Sequence, residues 1–172
     1  LTKYESLNRS LSEAALTVLK NEDDLRPIRN LTEHKMAVIS IGEEKGNRFQ
    51  STLGLYHSVA QYAVKTPSEA VFKNHLDSLK DYSTVVLGIH KSNKNPWKSY
   101  KISSHTKKFI ADLSKQTTVI LVDFANPYSL IDFPETSNVD ALILAYQSND
   151  YAMNGAAELI FGGIGANGKL PV

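Results

Sequence analysis

A glycine pattern near the end of the chain has the spacing of a nucleotide-binding loop. Gly163, Gly165 and Gly168 form G-x-G-x-x-G within the segment FGGIGANGKLPV. In dinucleotide-binding proteins these glycines close a strand-to-helix turn, which lets a pyrophosphate contact the N-terminus of the following helix. Here a helical pattern precedes the glycines, and residues 169–172 follow them. We therefore interpret the glycines as the end of a helix and a loop, and we predict no cofactor.

Other residue patterns that support catalysis do not occur in this sequence. The five histidines lack metal-ligand spacings such as H-E-x-x-H, and there is no cysteine. No G-x-S-x-G motif is present to hold a hydrolase serine. Glu43 and Glu44 are neighbours, so they cannot both point at one substrate as an acid and base pair. His90 ends a predicted strand and is the best histidine candidate, although a surface histidine is the commoner reading. We predict no catalytic residue and no metal site in this chain.

One loop carries polar and aromatic residues at the end of an apolar strand. Asp123 ends the run TTVILV, and Asn126, Pro127 and Tyr128 follow it. Asp123 and Asn126 have a second reading, because Asp and Asn side chains often hydrogen-bond the backbone of a following turn. Tyr128 offers a ring and a hydroxyl, a combination favoured at interfaces and against sugars. We expect Asp123, Asn126 and Tyr128 to belong to a loop that faces a substrate or another domain.

A lysine-rich segment allows several kinds of partner. Six lysines and no acidic residue lie between positions 91 and 108, with Trp97 and Tyr100 among them. Such a segment could bind single-stranded nucleic acid, a sugar ring or an anionic polymer. It could equally be an exposed loop whose tryptophan packs onto its own domain. The net charge of +1 argues against a general nucleic-acid surface, so we predict no nucleic-acid partner.

Helical and strand patterns alternate along the chain. Helices are predicted at residues 7–19, 49–60 and 104–114, and from Asn149 or Asp150 to Phe161. A further helix is predicted after Thr66, which forms a capping box with Glu69. Ser10 and Glu13 could form a capping box for the first helix. Strands are predicted at residues 36–41, 83–89, 117–122 and 141–145, with a weaker one at 61–65. The clear strands are continuous apolar runs, which are typical of parallel strands buried on both faces.

This order of elements predicts the fold class. We expect an α/β protein, a three-layer α/β/α sandwich with a mostly parallel sheet of about 4–6 strands, flavodoxin-like or Rossmann-like. The length of 172 residues suggests one domain over residues 1–172. No apolar run approaches the length of a membrane span, and the first residues carry no initiator Met or signal peptide. We expect the chain to be an excised part of a larger protein.

Three segments of the sequence, in register, resemble parts of one known domain. Residues 10–21 with 25–28 are similar to the helix and "LLKN…LLP" run that opens this domain. Residues 122–128 resemble its "FGNPY" loop, although Asp123 and Ala125 depart from the usual form. Residues 145–146, 156–162 and 168–172 resemble its closing helix and "G-x-L-P-V" segment. Together these segments resemble the second domain of glycoside hydrolase family 3. The resemblance covers most of the chain and is greatest to the family's bacterial β-N-acetylglucosaminidase branch.

The resemblance implies a parent enzyme rather than an activity of this segment. In the family the catalytic aspartate lies on a preceding TIM barrel, and in the N-acetylglucosaminidase branch the acid/base group does too. The expected partners are therefore an N-terminal TIM-barrel catalytic domain of the same polypeptide and the carbohydrate substrate of the parent, with no membrane span. The parent would hydrolyse O-glycosyl bonds as a β-N-acetylhexosaminidase, in the bacterial periplasm or cell exterior, and this segment alone would be inactive. The alternative is a freestanding α/β module that binds a small ligand or carbohydrate without catalysis.

Overall fold

The computed structural model describes residues 2–92 and 100–170. Its strands are β1 (Thr17–Asn21), β2 (Met36–Ile41), β3 (Val59–Val64), β4 (Thr84–His90), β5 (Thr118–Phe124) and β6 (Ala141–Leu144). Its α-helices are α1 (Lys3–Ala15), α2 (Arg48–Tyr56), α3 (Glu69–Leu79), α4 (Ser104–Leu113) and α5 (Asp150–Ile160). Trp97, Lys94 and Lys98 of the lysine-rich segment, and Pro171 and Val172 of the final segment, lie outside the described residues.

The strands form one six-stranded sheet in the order β1-β6-β5-β4-β2-β3. Strands β2 to β6 are mutually parallel, and β1 pairs antiparallel with β6 at one edge. The predicted parallel pairing among the four clear strands is confirmed, and the weaker strand candidate is present as β3. The parallel strands have the winding order of flavodoxin-like proteins, so the predicted fold class is confirmed.

Alternate residues of the strands enter two apolar cores, one on each face of the sheet. Phe49 of α2 and Met153 of α5 pack on the first face, with Val38 and Ile120 beneath them. The second face is covered by α3 and α4, which contribute Phe72 and Phe109 among others. Because both faces are covered, β2 and β4 are buried at every position, which explains why their hydrophobic runs lack inside–outside alternation. This arrangement is the predicted three-layer sandwich.

The first predicted helix was too long, and its last part forms a strand. Helix α1 ends at Ala15, and Thr17 begins β1, which pairs with Leu144 of β6. Val18 packs on the first face of the sheet and Leu19 on the second, as consecutive strand residues must. The spacing of apolar residues does not predict this change from helix to strand, because the strand forms by pairing with the otherwise open edge of β6, which is distant in sequence.

Three other local predictions need correction. The helix predicted at residues 49–60 ends at Tyr56, because Val59 pairs with Met36 of β2. Ser68, rather than Thr66, caps α3. The capping box of α1 is formed by Thr2 and Glu5 instead of Ser10 and Glu13. The predicted cap of the last helix is confirmed at Asn149.

The terminal glycines serve as a helix end and a close backbone approach. Gly162 directly follows the C-cap of α5 and has φ of 82°, a conformation that L side chains rarely adopt. The Gly168 amide donates to the Leu16 carbonyl oxygen at 3.2 Å, and a Cβ at Gly168 would lie 2.5 Å from that oxygen. Helix α5 precedes the G-x-G-x-x-G pattern, and residues 165–170 are not helical, so within the described residues no helix begins at these glycines.

Candidate functional site

The carboxyl ends of the five parallel strands lie along one edge of the sheet, where ligands of open α/β proteins bind. The loops after β2, β4, β5 and β6 are all at this edge. The chain reverses its winding direction between β2 and β4, since β3 lies beyond β2 whereas β5 lies beyond β4. Residues in these loops are therefore the ones placed to contact a ligand.

Asp123 is completely buried near the end of β5. Its Oδ2 accepts a hydrogen bond from the Ser129 hydroxyl, and its Oδ1 has no hydrogen-bond partner among the described residues. Burial raises the pKa of Asp123 to about 7, against the opposing effects of the Ser129 hydrogen bond and the nearby Lys91 ammonium. The carboxyl group is thus held inside the domain, where it ties β5 to the following loop.

Asn126 and Tyr128 occupy the same loop but point to different surroundings. The Asn126 Oδ1 accepts the Tyr128 amide at 3.1 Å and so caps the short 3-10 helix Pro127–Leu130. The Tyr128 side chain is 55% exposed. Asn126 bonds the backbone of the turn, as the turn interpretation predicts, whereas Asp123 accepts from the side chain of Ser129.

His90 is buried, so the surface position favoured by the sequence was wrong. Its ring stacks on Phe124, with ring centroids 4.5 Å apart, and Nδ1 lies 3.1 Å from the Ser148 hydroxyl oxygen. Burial lowers its pKa to about 3, so the imidazole is neutral at ordinary pH. Gly88, two residues earlier on the same face, leaves the required space, because a Cβ there would lie 2.8 Å from His90 Nε2.

A pocket of about 320 Å³ lies where the winding of the sheet reverses. Its apolar wall includes Ile41, Ile89 and Ile102, and lysines stand around it. The Lys91 ammonium donates to the Lys101 carbonyl oxygen at 2.5 Å, and Lys65 pairs with Glu44 at 2.7 Å. These lysines are engaged by the protein itself.

The remaining described lysines of the lysine-rich segment lie elsewhere. The Lys107 ammonium donates to the carbonyl oxygen of Asp132, and Lys108 pairs with Glu69 at 3.2 Å. The described lysines therefore contact separate parts of the fold and do not form one basic patch.

A second pocket, the β6-end pocket, was not anticipated from the sequence. It has a volume of about 360 Å³ and lies between α1, the loop after β6 and the start of α5. Its polar lining comprises Asn8, Ser12, Tyr146, Gln147, Asn149, Asp150 and Tyr151. Tyr146 has φ of 65°, which is uncommon for a residue other than glycine, and its hydroxyl lies 2.9 Å from that of Thr17. Residues from both ends of the chain form this pocket, so no local motif reports it.

Over residues 2–92 and 100–170, no three His, Asp or Glu side chains are grouped to hold a metal ion. In those same ranges, no helix has the length and hydropathy needed to cross a bilayer.

Comparisons with known proteins give matches at the level of structure. No protein-family model and no curated protein matches the chain. A glycoside hydrolase family 3 β-N-acetylglucosaminidase from Paenibacillus sp. str. FPU-7 superposes with a TM-score of 0.75 and 19% identity, over 99% of this chain. A fungal multi-domain family 3 β-N-acetylglucosaminidase gives a TM-score of 0.72 and 22% identity over 98% of this chain. A β-glucosidase from Listeria innocua gives 0.75 and 16% over 95%.

The matched region is a minor part of each of these proteins. This chain spans 33% of the Paenibacillus enzyme, 19% of the fungal enzyme and 26% of the Listeria enzyme. Nearly all of this chain is used in each superposition, so its whole architecture recurs as one part of larger proteins. The family 3 resemblance is confirmed at the level of the fold: the chain has the architecture of an α/β domain found within glycoside hydrolase family 3 enzymes.

Proposed function

We propose that residues 1–172 form one accessory domain of a family 3 glycoside hydrolase, which packs against an N-terminal TIM-barrel catalytic domain of the same polypeptide. One observation carries the proposal. Almost the whole of this chain superposes on two enzymes named as family 3 β-N-acetylglucosaminidases, but it covers only 19% and 33% of the length of those enzymes. A module that recurs inside longer glycosidases is expected to work together with the remainder of such a chain.

The substrate of the parent is a β-N-acetylhexosaminide in this proposal. Two of the similar structures are named β-N-acetylglucosaminidases, and the sequence motifs resemble the same branch. Other similar structures are named a β-glucosidase and a β-glucoside phosphorylase. Assays on the parent must therefore compare an N-acetylglucosaminide with a glucoside.

The loop after β5 is the part of this domain that we assign to the substrate or interdomain surface. Tyr128 is 55% exposed and Ile131 is 60% exposed, so two large side chains with apolar surface project from one short segment. Two hydrogen bonds fix the loop: Asn126 accepts one from the Tyr128 amide, and Asp123 accepts one from the Ser129 hydroxyl. A loop that is already ordered loses little conformational entropy when a partner packs on it.

The chain alone is not expected to hydrolyse glycosides. A retaining glycosidase needs two carboxyl groups about 5 Å apart across the sugar. Asp123 is buried with one oxygen bound by Ser129, so it cannot reach a substrate in this conformation. The catalytic aspartate and the acid/base group are assigned to the barrel.

Two measurements test the proposal. The coding sequence upstream of Leu1 should encode a barrel, which typically takes about 250 residues. A start codon close to Leu1 would instead support a freestanding binding module. The parent, the isolated barrel and this chain are then assayed on aryl β-N-acetylglucosaminide and aryl β-glucoside. We expect activity from the parent on the first substrate and none from this chain; turnover by this chain alone after repurification contradicts the assignment.

A further inference from the structure

We propose that the β6-end pocket binds a neutral, hydroxyl-bearing ring, namely one monosaccharide unit. The pocket has a volume of about 360 Å³ and opens beside the carboxyl end of a parallel strand. Small-molecule pockets range from about 300 to about 1,000 Å³, so this one suits a single ring better than a longer oligosaccharide.

Three lining groups retain both donor and acceptor capacity. The Asn8 amide, the Ser12 hydroxyl and the Tyr151 hydroxyl make no hydrogen bond to residues 2–92 or 100–170. Amide and hydroxyl groups each donate and accept. A sugar hydroxyl does both as well, so such groups can pair with it in either direction. Asn8 and Ser12 lie four residues apart on α1 and therefore face the same side.

The charge of the lining selects a neutral ligand. No lysine or arginine lines this pocket, and its one carboxylate, Asp150, lies 3.7 Å from the guanidinium of Arg48. A phosphate or carboxylate ligand would meet no cation in the pocket wall. Tyr146 and Tyr151 add aromatic surface, which can pack against the apolar C–H face of a sugar ring.

The pocket wall is held in place before any ligand binds. Tyr146 keeps its left-handed backbone conformation while its hydroxyl contacts Thr17 at 2.9 Å. Non-glycine residues in such conformations are concentrated at ligand sites. Asn149 accepts the Ala152 amide at 2.9 Å and donates to Gln147 at 2.8 Å, so the loop after β6 is also fixed. Preorganised polar groups lower the entropic cost of binding.

This inference goes beyond the accessory-domain function, because binding is measured on this chain without a barrel. The chain labelled with ¹⁵N is titrated with N-acetylglucosamine, with glucose and with inorganic phosphate while its amide spectrum is followed. We expect saturable shifts with at least one sugar, clustered on residues of α1 and on residues 145–152, and none there with phosphate. Absence of saturable shifts with both sugars, shifts centred elsewhere, or an equal response to phosphate would overturn the proposal.

Matched variants separate pocket binding from surface effects. Asn8→Ala removes one polar group from an exposed helical position, and Asn74→Ala makes the same change at an exposed position on α3, away from the pocket. Tyr151→Phe removes a hydroxyl and keeps the ring. We expect Asn8→Ala and Tyr151→Phe each to weaken sugar binding about three- to tenfold, the effect of one neutral hydrogen bond. Asn74→Ala should bind like the unmodified chain, and equal affinities for all four proteins would refute the site.

Discussion

Replacement of Asp123 by Asn should change how the stability of the protein depends on pH. Asp123 is fully buried, and burial raises its pKa from 3.8 to about 7. The folded protein therefore holds this proton more tightly than the unfolded chain does. A tenfold difference in proton affinity corresponds to about 1.4 kcal/mol, so the protonated carboxyl contributes about 4 kcal/mol. That contribution is complete below pH 3.8 and is lost as the pH rises through about 7.

The assay is urea unfolding followed by far-ultraviolet circular dichroism at several pH values. Between about pH 4 and about pH 8 the free energy of unfolding of the unmodified chain should fall by about 4 kcal/mol more than that of Asp123→Asn. The amide is neutral throughout, and it can still accept the Ser129 hydroxyl through Oδ1. At pH 8 the variant should therefore be the more stable protein. Asp77→Asn, on the exposed surface of α3, is the matched control and should follow the unmodified chain.

The difference between the two unfolding profiles decides the matter, because other titrating groups contribute equally to both. Parallel profiles for the unmodified chain and Asp123→Asn would refute the reasoning. So would a variant whose stability advantage grows toward low pH, since the proton would then be held more tightly in the unfolded chain. Chemical shifts of the Asp123 carboxyl carbon give an independent titration midpoint for the folded state.

Three further predictions concern the loop after β5 and the two apolar cores. Tyr128→Ala should barely change the melting temperature of this chain, because the side chain is 55% exposed, while activity or interdomain stability of the parent falls; equal destabilisation of both proteins would contradict the interface role. Phe109→Ala should lower the free energy of unfolding by roughly 3–5 kcal/mol, as for other buried Phe truncations, whereas Val71→Ala, at an exposed position of α3, should cost far less. Gly88→Ala should destabilise by roughly 1–3 kcal/mol through overpacking, because the new Cβ would lie 2.8 Å from His90 Nε2; unchanged stability in urea unfolding would show that the ring moves freely.

Apolar patterning determined the layers and the direction of the central strands. The runs MAVISI and TTVILV have no polar alternation, and a strand without alternation must be covered on both faces. Helix-length connections between such runs allow parallel pairing, which the structure has. The capping roles of Asn126 and Asn149 were also predictable from the sequence, because each side chain accepts a hydrogen bond from a backbone amide two or three residues later. Interactions this local depend on few other residues, so a single sequence reports them.

Contacts between distant segments were decided by the tertiary structure alone. Residues 17–21 have apolar spacing that also fits a helix, and they become a strand because β6 offers an unpaired edge. His90 is buried because Gly88, Phe124 and Ser148, from three different segments, leave a space that fits its ring. The β6-end pocket joins α1 to the loop after β6, with Asn8 and Tyr151 separated by most of the chain. Periodicity and motif spacing describe neighbours along the sequence, whereas burial and pocket formation depend on which segments pack together, and packing is fixed only when the whole sheet is assembled.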